Sequence, residues 1–172
     1  MARRIEHRST SEWPASQVHA ALIDIDYLRE RLDQLEGGRN ELVQHTADAD
    51  AVRFQVRQGV PTESLPPIAR TVAGAGDLVI DRSESWRREQ DGHYAGEIAA
   101  EVAGVPCTIT GSMWLRDLTG RTGASELVVE GEVRVSVPFL GGKLEDLVAE
   151  QVQKLLAAEE RFTTEWLARP RS

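Results

Sequence analysis

The chain has 172 residues, 41% hydrophobic and 28% charged, with a formal net charge of -8. These values suit one globular domain over 1–172 with a core of its own, and the negative charge argues against general binding to nucleic acid or lipid headgroups, which are themselves negative. A lone cysteine, Cys107, excludes an internal disulfide framework and argues against a cysteine-based zinc site.

RRIEHRS, Arg3 to Ser9, reads as a short first strand. The basic residues Arg3, Arg4, Arg169 and Arg171 are too few for a binding patch and read as solvated chain ends. SEWPAS then starts a helix, with Pro14 suited to its first turn, Ser11 or Trp13 at the boundary and Trp13 as a staple. Val18, Leu22 and Ile25 follow at helical spacing. A second short helix carries Leu28, Leu32 and Leu35 and should stop at Gly37-Gly38.

ELVQHTA and AVRFQVRQ read as strands joined by a DAD turn, with Val52, Phe54 and Val56 on one face. GVPTESLPPIARTVAGAG, Gly59 to Gly76, interrupts them with one or two helical turns. Ser64 is a candidate cap, Pro66 and Pro67 suit the first turn, and Gly74 suits the end. This long segment is also a candidate lid.

Further strands follow. DLVIDRSESWRRE has Leu78, Ile80 and Trp86 in phase; HYAGEIAAEV has Tyr94, Gly96, Ile98, Ala100 and Val102 in phase; CTITGSMWLRDL comes next. ELVVEGEVRVSVP alternates Leu127, Val129, Val133, Val135 and Val137 against Glu130, Glu132, Arg134 and Ser136. After two glycines, Leu144–Leu167 holds a helical pattern for about 36 Å at 1.5 Å per residue. An apolar sheet face must be covered, and only this last helix is long enough.

The order resembles the helix-grip fold of the START-like or polyketide-cyclase-like (SRPBCC) superfamily, and in detail a family catalogued as domain of unknown function 2505. The likeness is carried by PASQVHAALIDIDYLRERL, GVPTESLPPIARTVAG and VPFLGGKLEDLV. It implies an α+β fold: a curved antiparallel sheet of six or seven strands wrapped around the C-terminal helix, with two short helices after the first strand. It also implies a cavity that commonly takes a lipid, polyketide or other apolar molecule. Superfamily members range from carriers to cyclases and hydrolases, so no reaction follows from the fold.

Motifs for other chemistry fail. GGKLED lacks the earlier glycine and the Ser or Thr of a phosphate loop, so its glycines read as a strand-to-helix turn, with Glu145 and Asp146 complementing the helix start. His7, His19, His45 and His93 have no ligand spacing, so neither a metal site nor a cofactor is expected. His93 lies on the strand face opposite Tyr94 and reads as solvent-facing or at a turn edge, and Cys107 reads as a small buried hydrophobe. With no secretory signal and no apolar run long enough to span a bilayer, the expectation is a cytoplasmic protein, not integral to a membrane.

The last helix carries an anomaly. At 100° per residue, Leu144, Val148, Val152, Phe162 and Trp166 cluster about Leu155, and Glu159 and Gln151 fall inside the same stripe. On DLVIDRSESW, Arg82 and Glu84 share the phase of Trp86. Polar groups thus appear on the inner face of both sheet and helix. Two explanations stand: structural ion pairs or outward escape at a bulge, or the polar end of an apolar pocket. The pocket reading takes Arg82, Glu84, Trp86, Tyr94, Val152, Leu155, Glu159, Phe162 and Trp166 as ligand-binding residues for an apolar or amphipathic small molecule. A cyclase- or hydrolase-type enzyme using Glu159 or Glu84 is the first alternative, and a structural or interaction protein with a filled core is the second. Trp86, Trp114 and Trp166 suit core positions in any of these. Small inward residues, Gly96, Ala100 and Gly111, open a cavity only if nothing large covers them. Oligomeric state stays open.

Overall fold

The computed structural model describes residues 2–35, 39–74 and 76–170. Its elements are β1 (Ala2–Ser11), α1 (Ala15–Leu22), α2 (Ile25–Asp33), β2 (Glu41–Ala47), β3 (Ala51–Val60), α3 (Pro67–Ala73), β4 (Leu78–Gln90), β5 (His93–Val102), β6 (Cys107–Asp117), β7 (Ser125–Val135) and α4 (Gly141–Leu167). All strand pairs are antiparallel, in the order β1-β7-β6-β5-β4-β3-β2. This is the expected sheet and helix.

Local chemistry sets the joints. Pro14 stands at the start of α1, and the first N–H of that helix, on Ala15, donates to Asp117 Oδ1 at 2.8 Å. Asp24 caps α2 by accepting from the Tyr27 N–H at 3.0 Å. In the DAD turn, Asp48 Oδ1 accepts from Asp50 and Ala51.

Strand phase decides which side chains face α4. One row runs across the sheet through Phe54, Glu84, Ile98, Gly111, Gly131 and Ile5, and the next through Val56, Arg82, Ala100, Ile109 and Val133. A Cβ on Gly111 would lie 2.7 Å from the Glu130 carbonyl, and one on Gly131 2.5 Å from the Thr110 carbonyl. Only glycine permits that approach, so the strands can bend tightly around the helix.

The backbone of α4 runs closest to β1 and β7. Arg3 pairs with Asp146 at 3.6 Å, His7 meets Glu160 at 3.2 Å, and Gln153 Nε2 donates to the Glu6 carbonyl at 2.8 Å. Long side chains therefore span from α4 to β3–β5. Buried apolar residues form two groups. One joins α1, α2, Phe54, Val56, Trp86, Met113, Leu115 and Phe162. The other joins Ile5, Cys107, Val133, Val135, Leu144 and Ala149, with Ile68 and Val72 of α3 packed against it. Fully burying a side chain such as Leu144 or Phe162 contributes roughly 1.5–3 kcal/mol.

Several expectations change. Ser64 ends a single 3-10 turn (Thr62–Ser64) and caps nothing; α3 starts after Pro66 and ends, as expected, at Gly74 with φ 75°. α2 ends at Asp33, and Gly37-Gly38 lies outside the described residues. Gly141 and Gly142 are the first residues of α4, not a turn before it; the left-handed residue in that connection is Phe139, with φ 66°. Glu145 does not serve the helix start: it is buried and accepts from the Val135 N–H at 2.9 Å, tying β7 to α4. Trp114 points outward and is 42% exposed, because its neighbours Met113 and Leu115 take the inward phase. Gln151 is solvent-exposed, since α4 is rotated to bury Ala149.

Candidate functional site

Arg82 and Glu84 do point inward, because β4 keeps its alternation there; its irregularity lies farther on, between Arg88 and Gln90. Arg82 reaches across to α4. Its Nη1 donates to Glu159 Oε2 at 2.7 Å and its Nη2 to Glu159 Oε1 at 3.1 Å, a two-pronged pair. Its Nε lies 3.1 Å from Glu84 Oε2.

A fourth charge enters from α2. Arg31 Nε lies 3.7 Å from Glu159 Oε2, and Arg31 Nη2 lies 3.7 Å from Glu84 Oε2. Its guanidinium stands over the Tyr27 ring, 5.5 Å from the centroid. The side chains of Arg31, Arg82 and Glu84 are 7%, 6% and 5% exposed, and that of Glu159 12%. Two cations and two carboxylates are thus enclosed together.

Burial pushes the Glu159 carboxyl up, but Arg31 and Arg82 outweigh it and hold the group at about 2. Burial likewise works against the Arg82 charge, yet Glu159 and Glu84 more than offset it and its pKa is raised. The carboxylate of Glu159 and the guanidinium of Arg82 therefore stay ionised at neutral pH.

Satisfaction of the cluster is incomplete. Among the described residues, Arg31 Nη2, Arg82 Nε and Glu84 Oε2 have no hydrogen-bond partner; the 3.1 Å approach of the last two lacks hydrogen-bond geometry. Gln58 Nε2 is also buried and unpartnered, on the strand position paired with Ile80.

The remaining predicted residues divide around this cluster. Phe162 and Trp166 pack on Tyr27, tilted and edge-to-face, at 5.2 and 5.6 Å between ring centroids, and the Tyr27 hydroxyl meets Thr163 Oγ1 at 2.6 Å. Trp86 is buried. Its ring lies over Gly96, where a Cβ would come within 3.0 Å of it. Gly111 is likewise covered, by Ile98 and the Gly131 backbone. Tyr94 sits apart from the charges, stacked on His19 at 4.0 Å. Burial lowers the His19 pKa to about 4, and its Nε2 has no partner among the described residues. Val152 and Leu155 are only half-buried, on the turns of α4 before Glu159. Ile80 and Val102, paired across β4 and β5, are half-buried too.

Arg31 and Gln58 escaped the sequence reading. Both had a signal. Arg31 falls one helical turn after Tyr27 and Leu28, on the buried face of α2, and Gln58 continues the period-two series Val52, Phe54, Val56.

A small cavity of about 30 Å³ lies between β1, α1 and α4, bordered by Ser9, Ser125, Thr163 and Glu160. That is room for about one water molecule. A depression of about 850 Å³ lies outside, on the solvent-facing phase of the sheet, where Gln55, Ser83, Thr110 and Ser112 line it. Its lining includes Glu84 but neither Arg31 nor Arg82. No helix among the described residues is long and apolar enough to cross a membrane, and none of their His, Cys, Asp and Glu side chains group to hold a metal ion.

Comparison with known proteins bears on this site. A family model described as "Protein of unknown function (DUF2505)" matches residues 6–167. The uncharacterized protein Rv0481c of Mycobacterium tuberculosis is 28% identical, over 97% of this chain and 98% of its own. Among solved structures, a START superfamily protein from Mycobacterium smegmatis aligns with TM-score 0.53 and 11% identity, over 96% of this chain and 99% of that one. The Zhui aromatase/cyclase from Streptomyces aligns with TM-score 0.52 and 15% identity, over 97% and 92%. Norcoclaurine synthase from Thalictrum flavum, in complex with dopamine and hydroxybenzaldehyde, aligns with TM-score 0.58 and 12% identity, over 100% and 90%. At these identities the likeness is one of fold: the START-like helix grip.

Proposed function

The chain belongs to the DUF2505 family of proteins of unknown function, and from that premise and the geometry above we propose that it binds an apolar or amphipathic small molecule between the sheet and α4. The observation that carries this reading is the enclosed set of Arg31, Arg82, Glu84 and Glu159 with three of its polar atoms unpartnered. Buried ion pairs are a poor device for stability, since well-packed hydrophobes of the same volume often do as well. A polar end to an otherwise apolar pocket gives them a use. In this reading the half-buried Ile80, Val102, Val152 and Leu155 would supply the apolar wall; Val102 and Val152 pack, with α3, against the second apolar group.

The acid–base alternative draws less from this arrangement. A Glu159 carboxyl held at about 2 gives up its proton far below neutral pH and takes one back poorly. The filled-core alternative is favoured by the Trp86 ring over Gly96, by the cover on Gly111 and by an enclosed space of only about 30 Å³.

Native mass spectrometry of the purified protein, with solvent extraction of whatever co-purifies, separates these readings. A single bound small molecule, or saturable one-to-one uptake of the uncharged fluorescent probe N-phenyl-1-naphthylamine by the folded protein, is expected. Leu155→Trp should weaken that uptake by filling the wall. Folded protein that carries nothing and takes up no apolar probe would sink the proposal and leave the filled core.

A further inference from the structure

We propose that the chain pairs with a second copy of itself through the turn from β7 into α4, each copy setting its Phe139 ring into the open depression beside Phe139 on the other. This inference stands apart from the binding reading above.

The first ground is Phe139 itself. Its side chain is exposed at 104% of the reference area, and its backbone is left-handed at φ 66°. Neither feature serves the single chain. A left-handed L-residue is strained, glycine would relieve the strain, and a wholly exposed ring gains nothing by burial. Backbone strain of this kind gathers where a surface is used, and aromatic side chains are among the commonest anchors of protein contacts. The other large apolar side chains exposed among the described residues, Ile25, Val43 and Trp114, reach only 38%, 42% and 42%. Phe139 is therefore in a class of its own.

The second ground is the room beside it. A depression of about 900 Å³ lies between the paired ends of β1 and β7 and the first turn of α4. Val137 and Pro138 give it an apolar wall, and Gly141 and Gly142 leave its α4 side without side chains. A Cβ added at Gly142 would meet nothing within 4 Å. Phe139 stands at the border of this depression but does not fill it, since its ring is fully exposed. A projecting ring and an apolar recess side by side are self-complementary. A two-fold axis between two copies sets each ring into the other's recess.

The third ground is charge, which favours a second copy over a charged partner. The whole chain carries -8, so two copies repel in most approaches. Around this turn the charges cancel. Arg3 lies 3.6 Å from Asp146, and Arg134 lies 3.6 Å from Glu132. Lys143 on the rim is offset by the buried carboxylate of Glu145 below it. A neutral patch lets two copies meet without the general repulsion, and it exerts no pull on a polyanion or an anionic lipid surface.

The test is sedimentation velocity of the full-length protein from low to high micromolar concentration. Two rings in a small interface make a weak pair, so the wild type should pass from monomer to dimer with Kd on the order of tens of micromolar. Well below that concentration the single chain prevails and its ring stays exposed. Phe139→Ala removes the ring and Gly142→Phe fills the recess; each should weaken pairing at least about tenfold while circular dichroism stays that of the wild type. A wild type that is monomeric at high micromolar concentration overturns the proposal. So does a dimer that either folded variant leaves intact, because pairing then uses another face. Binding of a monomeric wild type to phosphatidylcholine or phosphatidylglycerol vesicles, lost in Phe139→Ala, would also overturn it and assign the ring to a lipid surface. Should one variant fail to fold, the other decides.

Discussion

Arg82 on β4 grips Glu159 on α4 with both terminal nitrogens, at 2.7 and 3.1 Å, across the space between sheet and helix. The two residues are 77 positions apart in the chain. Removing one partner strands the other. Glu159→Ala would leave Arg31 and Arg82 facing Glu84 alone and should cost about 3–5 kcal/mol, as breaking a buried pair does. The double variant Arg82→Met, Glu159→Leu should recover most of that loss. Urea denaturation of the two variants checks this; a double variant no better than the single one would refute the charge argument.

Acid should act on the fold in two windows. Glu159 has its pKa lowered from 4.5 to about 2 by Arg31 and Arg82. Its contribution is complete above about 4.5 and is lost as pH falls toward 2. His19 has its pKa lowered from 6.5 to about 4 by burial. The unfolded chain then binds the extra proton first, so stability falls as pH drops from 6.5 toward 4. Melting temperature measured across pH should therefore decline in two steps. His19→Gln should remove the upper one and leave the lower.

How much of this was legible in the sequence depends on where the information lies. Period-two alternation on β3, β4, β5 and β7 placed the sheet's inner face correctly, and with it the inward Arg82 and Glu84. Alternation is a local property and survives folding. The rotation of α4 was not local. Its apolar stripe is wide enough for several settings, and packing over β1 and β7 chose the one that buries Ala149 and leaves Gln151 in water. Arg31 shows the same limit from the other side. Its helical phase put it on the buried face of α2, but a charged residue there becomes credible only once Glu84 and Glu159 are known to meet it. Loop chemistry was least legible. Two glycines promised the turn into α4, yet the left-handed residue there is Phe139.

The bends of the sheet can be tested by adding a single methyl group. Gly111→Ala would set a Cβ 2.7 Å from the Glu130 carbonyl, and Gly131→Ala one 2.5 Å from the Thr110 carbonyl. Backbone must shift in both, and each should cost about 1–3 kcal/mol. Gly142→Ala is the control. It lies in the first turn of α4 with nothing within 4 Å of its added Cβ, and should stabilise by up to about 0.5–1 kcal/mol. Chemical denaturation of the three variants measures the contrast; Gly111→Ala or Gly131→Ala as stable as the wild type would mean the strands do not need glycine to curve.

Phe139 runs against two rules at once. Its backbone is left-handed at φ 66°, and its side chain is fully exposed, at 104% of the reference area. A left-handed L-residue costs roughly 1–2 kcal/mol, and an exposed ring returns none of it by burial. Phe139→Gly should therefore raise stability by about 1 kcal/mol, because glycine carries no Cβ to clash, partly offset by its freer unfolded chain. Phe139→Ala keeps the Cβ and should change little. The pair separates backbone strain from side-chain packing: if Ala and Gly both destabilise alike, the ring is packed in solution and the turn is not strained.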